Sequence, residues 1–249
     1  MNNSRDGALL SVSSLTVSFR GLVALDDVNF EVRHGETVGV IGPNGAGKTT
    51  LMNAITGFVR AETGAFNFDG SDVTGLPTHK LARAGIVRTF QNVRLFARLS
   101  ALENVEAMGI GVGRGRAEAV ELGRELLDLV GLGDSADTVA RSMPYGDERR
   151  LAVARAAAAL PRVLLLDEPA AGLDDSETAE LMDSVRAIKR RVGCSVALIE
   201  HDMPMIMGLC DRIHVLDRGR TLAVGTPLEI RNDPSVIEAY LGSADAGGA

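Results

Sequence analysis

The octet Gly42-Pro43-Asn44-Gly45-Ala46-Gly47-Lys48-Thr49 fits the pattern G-x-x-x-x-G-K-[ST] at every place. Its glycines let the main chain curl so that successive N–H groups wrap the β- and γ-phosphates of a nucleotide. A helix beginning at Lys48 adds its positive N-terminal end. Lys48 neutralises β/γ oxygens, Thr50 is a further nucleotide contact, and the Thr49 hydroxyl reaches Mg²⁺. The competing reading is an accidental glycine-rich turn. A complete match at a strand-to-helix junction argues against it. ATP with Mg²⁺ is therefore the expected ligand.

A second group of acids follows a short apolar run, Leu164-Leu165-Leu166-Asp167-Glu168. Asp167 is placed to hold Mg²⁺ through its water shell, and Glu168 to accept a proton from attacking water. Acids that merely cap the next turn are the plainer explanation, and the phosphate loop outweighs it. Gln91, after Ile86 to Phe90, can orient water or touch Mg²⁺. His201, after the strand that ends at Glu200, can hydrogen-bond the γ-phosphate. Alone, each would read as an ordinary polar residue. His34, His79 and His214 receive no role.

These groups need elements to position them. Leu15, Val17 and Phe19, then Val28, Phe30 and Val32, alternate with polar residues and predict two half-buried strands. Glu36 to Ile41 predicts a strand feeding the glycine loop. A helix follows from Lys48 to about Ile55, ended by Gly57. Phe66 to Phe68 with Asp69-Gly70 reads as strand and turn. Leu102, Val105 and Met108 mark a short helix. Gly109, Gly111, Gly113 and Gly115 mark a flexible break, with Arg114 and Arg116 read as solvated. Leu122, Leu126, Leu129 and Val130 mark a second helix. Val163 to Leu166 and Ser195 to Ile199 are buried parallel strands around a helix through Leu181, Val185 and Ile188. Ile213 to Leu216 and Leu222 to Val224 form a hairpin. Asp233 and Pro234 open a last helix that stops at Gly242, leaving a frayed tail. Strands alternating with helices predict a mostly parallel sheet covered on both faces.

Composition narrows the function classes. The 249 residues suit one large α/β domain, or a core with a smaller inserted lobe. A formal charge of −7 disfavours a broad nucleic-acid face. No apolar stretch reaches the ~20 residues of a membrane span, and no secretory leader is expected. Cys194 and Cys210 are read as buried thiols of a protein in a reducing compartment.

In order along the chain, the phosphate loop, Gln91, Asp167-Glu168, Gly172-Leu173-Asp174 and His201 resemble the nucleotide-binding domain of ABC ATPases, from about Leu15 to Tyr240. The resemblance implies a P-loop NTPase core of α/β class with a mostly parallel sheet, an antiparallel β subdomain and an inserted α-helical subdomain. The expected division is 8–91 with 151–228 for the core, 92–150 for the helical subdomain and 229–249 for the C-terminal helix and tail. It also implies a head-to-tail dimer, each ATP closed by the other subunit's signature segment, with Asp174 in the linking loop and Phe19 stacking on adenine. Phe19 as plain core is the alternative. Arg88 to Phe96, Ile199 to Met203 and Asn232 to Gly242 resemble, more narrowly, the ATP-binding subunits of branched-chain amino-acid importers. Implied partners are a second ATPase subunit, transmembrane permease subunits met by Val93, Leu95 and Phe96, and, indirectly, an extracytoplasmic solute-binding protein. The expected location is the cytoplasmic face of the membrane.

The signature departs from the family's Leu-Ser-Gly-Gly-Gln. Here it reads Met143-Pro144-Tyr145-Gly146-Asp147, with Glu148 onward expected as helix. Pro144 lacks a hydroxyl and an N–H, and Asp147 adds a negative charge. Tyr145 and Gly146 remain as candidate phosphate donors. An asymmetric heterodimer is the expectation adopted, with a homodimer as its alternative. Rival functions are the ATPase of a lipid or lipopolysaccharide exporter, an ABC ATPase acting on DNA or ribosomes, a regulatory subunit that binds ATP without hydrolysing it, and a small-molecule kinase. DNA-clamp types carry long coiled coils and translation factors carry paired domains, and this chain has neither.

Overall fold

Val38 to Ile41 offers water no polar side chain on either face, and the strand it forms, β3 (Thr37–Ile41), is buried along its length. The computed structural model describes residues 7–90 and 93–244. Before β3 come β1 (Ala8–Phe19) and β2 (Leu22–Arg33). After it come α1 (Lys48–Ile55), β4 (Thr63–Phe68), β5 (Ser71–Asp72), α2 (Thr78–Ala84), β6 (Ile86–Arg88), α3 (Ala101–Gly111), α4 (Arg116–Leu129) and α5 (Tyr145–Ala157). The chain continues through β7 (Val163–Asp167), α6 (Asp175–Val192), β8 (Ser195–Ile199), α7 (Met203–Leu209), β9 (Arg212–Asp217), β10 (Arg220–Gly225), α8 (Pro227–Arg231) and α9 (Pro234–Ala244).

The chain divides into two units, Met1–Leu81 with Ser195–Ala249, and Ala82–Cys194. The first holds an antiparallel sheet in the order β2-β1-β4-β5. It also holds β3 between β8 and β9, parallel to both, with β10 antiparallel on β9. The β9–β10 hairpin turns at Arg218-Gly219, whose φ values of 45° and 78° match the left-handed pair that a two-residue hairpin needs. The second unit holds the parallel pair β6–β7 and the helices α3 to α6. Leu126, Leu127, Leu151, Leu181 and Ile188 are fully buried there.

Several expectations need correction. Phe19 does not continue its strand's inward alternation: Leu15 and Val17 are fully buried, whereas Phe19 is 46% exposed. Gly109 and Gly111 belong to α3, and only Gly113 and Gly115 lie in the break. The reason at Gly109 is packing, because a Cβ there would meet the Ala119 Cβ at 3.1 Å. Arg116 is 82% exposed, as a solvated side chain should be, although it pairs with Glu106; Arg114 is the more enclosed of the two and pairs with Glu118. The last helix runs through Gly242 to Ala244; a single helical glycine costs only about 1 kcal/mol against alanine. Helices α7 and α8 span seven and five residues, too short to show a periodicity.

Both cysteines are buried, and burial pushes the Cys194 thiol up to about 11, which makes it inert. Burial, aided by the Arg212 charge, holds His214 down at about 4. It packs edge-on to Phe30, 5.5 Å between ring centres, as a neutral core histidine.

Candidate functional site

In the first unit the glycine loop joins β3 to α1. Gly42 has φ 150°, and a Cβ there would lie 2.0 Å from the Leu216 carbonyl oxygen. Gly47 has φ 103°, and its Cβ would lie 2.6 Å from Leu25 Cδ2. Both glycines are required twice over, by a backbone region that L-residues avoid and by close approach to β9 and β2. The hairpin turn steadies the loop, since Gly219 N–H donates to the Ala46 carbonyl at 3.1 Å. Tyr240 of α9 also hydrogen-bonds the Gly42 backbone, a contact with no signal in the sequence.

No side chain caps α1, whose N-cap is Gly47. A glycine at the N-cap offers no side-chain acceptor, which leaves that place at the helix start to an anion. Lys48 is only 6% exposed. Its Nζ donates to the carbonyls of Gly42 at 2.7 Å and Pro43 at 3.0 Å, bracing the ammonium across the loop. Thr49 is exposed and Thr50 half-buried. In the same unit, His201 is exposed after β8. Its N–H donates to Oε2 of the buried Glu200 at 3.0 Å, and the Asp202 N–H to the same oxygen at 3.4 Å. Glu200 thus shapes the turn that presents His201. Sequence reasoning passed over it, although an acid closing a buried strand is a readable signal.

In the second unit Asp167 ends β7 and is buried. Arg88 at the end of β6 pairs with its Oδ2, each side chain being about 5% exposed or less. Glu168, half-buried, has φ 47°. A carboxylate residue in the left-handed region costs about 1–2 kcal/mol, a strain that concentrates at functional sites. The segment after it is locked to α5. The Ala171 carbonyl accepts from Tyr145 Oη at 3.1 Å and Arg149 at 3.0 Å, and the Arg149 guanidinium lies over the Tyr145 ring at 4.8 Å. Asp174 and Glu177 form a reciprocal cap on α6. Gly146 packs on that cap, since a Cβ there would lie 2.7 Å from Glu177 Oε1.

The signature is better balanced than its residue types suggest. Helix α5 starts at Tyr145, not Glu148, with Pro144 as N-cap. Asp147 pairs with Arg150 at 2.5 Å, so its charge is met within its own helix. Gln91 lies outside the described residues. Phe96 is exposed, while Val93 and Leu95 are half-buried.

Comparison with known proteins decides the family. Residues 25–171 match the family model for ABC transporters. The chain belongs to the ABC transporter ATP-binding family. Residues 220–246 match a second model, that of the branched-chain amino acid ATP-binding cassette transporter. The chain is 43% identical to the high-affinity branched-chain amino acid transport ATP-binding protein BraF of Pseudomonas aeruginosa, over 95% of this chain and 98% of that protein. Identity and coverage are the same for the corresponding protein LivG of Escherichia coli K12. The crystal structure of the ADP conformation of an ATP-binding cassette of an ABC transporter superposes with a TM-score of 0.86 at 28% identity, covering 95% of this chain and 99% of that one. The fold is thus the ABC ATPase fold. The chain is a nucleotide-binding ATPase coupled to transport, and no helix among the described residues is long and apolar enough to cross a membrane.

Proposed function

We propose that this chain is the motor of an importer for branched-chain or other hydrophobic amino acids, working at the cytoplasmic face of the membrane beside its permease subunits. The match of residues 220–246 to the branched-chain transporter model carries the cargo class. Labelled leucine, isoleucine and valine uptake should be lost in cells deprived of the chain and return with the intact gene. Normal uptake with defective envelope lipid export would instead favour the exporter reading.

The roles follow from the residues. Gly42, Pro43, Asn44, Gly45, Ala46, Gly47 and Lys48 hold the β- and γ-phosphates of ATP, helped by Thr50. Phe19, exposed at the end of β1, stacks on adenine. Magnesium fits the donor types present: a hydroxyl at Thr49 and a carboxylate at Asp167, both hard oxygen ligands. Gln91 joins them. When bound, magnesium neutralises phosphate oxygens as charge moves to the leaving group. Glu168 takes the proton of the attacking water, and His201 hydrogen-bonds the γ-phosphate. Phe96, with Val93 and Leu95, docks a cytoplasmic helix of the permease.

The partner ATPase is a different chain in this reading. Tyr145 and Gly146 face the partner's γ-phosphate, and Asp174 reaches across to the partner's site. Met143 to Asp147 closes that site weakly, because Pro144 offers no donor. A regular signature from the partner completes the site built on Lys48 and Glu168. Purified alone, the chain should hydrolyse ATP slowly, and adding the partner should restore turnover. Equal turnover by the isolated chain would refute the asymmetric pairing.

A further inference from the structure

The carboxylate of Asp167 is committed before any metal arrives. β6 and β7 run parallel, Arg88 opposite Leu165, and the Thr89 N–H donates to the Leu165 carbonyl at 2.9 Å. This register brings the Arg88 guanidinium onto Asp167 Oδ2 in a pocket closed to solvent. The Phe90 ring covers the guanidinium, 5.3 Å from its centre. A carboxylate buried this deeply is costly unless it is paired, and a fixed positive charge beside it opposes a second cation.

We propose that Arg88 is the resident counter-ion of Asp167, keeping free magnesium out so that the metal enters with the nucleotide. The proposal rests on the reading of Asp167 as the magnesium-side residue. In wild-type protein Arg88 does for the resting site what a metal would otherwise do. When magnesium arrives on ATP phosphates, the phosphate charge offsets the extra cation and Arg88 can share Asp167 with it. Arg88 is a positioning residue, not a catalytic one.

The test compares Arg88→Gln with wild type by thermal melting in MgCl₂ alone, and by ATP titration with and without Mg²⁺. Wild-type melting should ignore MgCl₂. Arg88→Gln should melt lower and be partly rescued by MgCl₂ alone, and its Mg²⁺ enhancement of ATP affinity should rise on the order of tenfold. Arg88→Lys, which keeps the charge, should behave like wild type. If Arg88→Gln does not fold, Arg88→Gln with Asp167→Asn should fold, since no buried charge is then uncompensated. Failure of the double variant to fold would reduce Arg88 to packing. An unchanged or smaller Mg²⁺ enhancement in Arg88→Gln would overturn the counter-ion role. Asp167→Asn separates the two layers. If it keeps the full Mg²⁺ enhancement, the magnesium reading of Asp167 fails. If it loses the enhancement while Arg88→Gln leaves it unchanged, only the counter-ion proposal fails.

Discussion

Glu168→Gln is expected to lower ATP turnover by roughly 10²–10⁴-fold, the range a general base contributes, and to leave ATP affinity nearly unchanged. Glutamine keeps the shape and hydrogen-bonding reach of glutamate but cannot take a proton at neutral pH. It also tolerates the φ of 47° about as well as glutamate does, so the backbone that aims the side chain should persist. ATP then binds without being cleaved, and the closed dimer should accumulate. Single-turnover phosphate release and size-exclusion chromatography in ATP read the two effects separately. Wild-type turnover in this variant would remove Glu168 from the role of base.

Lys48→Ala should act on binding instead. Hydrogen bonds to charged groups contribute about 1.5–3 kcal/mol each, so losing the ammonium should weaken ATP by about 10²-fold. The loop loses its brace as well, because the Gly42 and Pro43 carbonyls both accept from this Nζ. Titration with a fluorescent nucleotide measures the loss. An affinity matching wild type would mean that the triphosphate is held elsewhere.

The loop and the acidic pair were legible because their chemistry is written in contiguous residues. Gly42 to Thr49 needs only its own pattern, and Asp167 announces itself at the end of an unbroken apolar strand. Arg88 was not legible as its partner. The pairing depends on β6 and β7 lying side by side in a register that brings together positions 79 residues apart. Phe19 shows the opposite failure: its alternation was real, but the strand ends there and the inward face stops at Val17. Gly109 misled because glycine marks both loops and places where helices touch, and only the neighbouring Ala119 tells which. The charge at Asp147 read as a defect because Arg150, three residues on, had not been counted against it.

The glycine at 146 has a further bearing on how mutations in this region should be interpreted. Loss of function after adding a methyl there would ordinarily be credited to a blocked approach of ligand. In this chain the methyl first collides with Glu177, and Glu177 cannot swing aside without releasing the Asp174 amide it holds at 3.1 Å. Damage in the first turn of α5 would thus reach the cap of the neighbouring α6, and a phenotype would not by itself distinguish lost recognition from lost scaffolding.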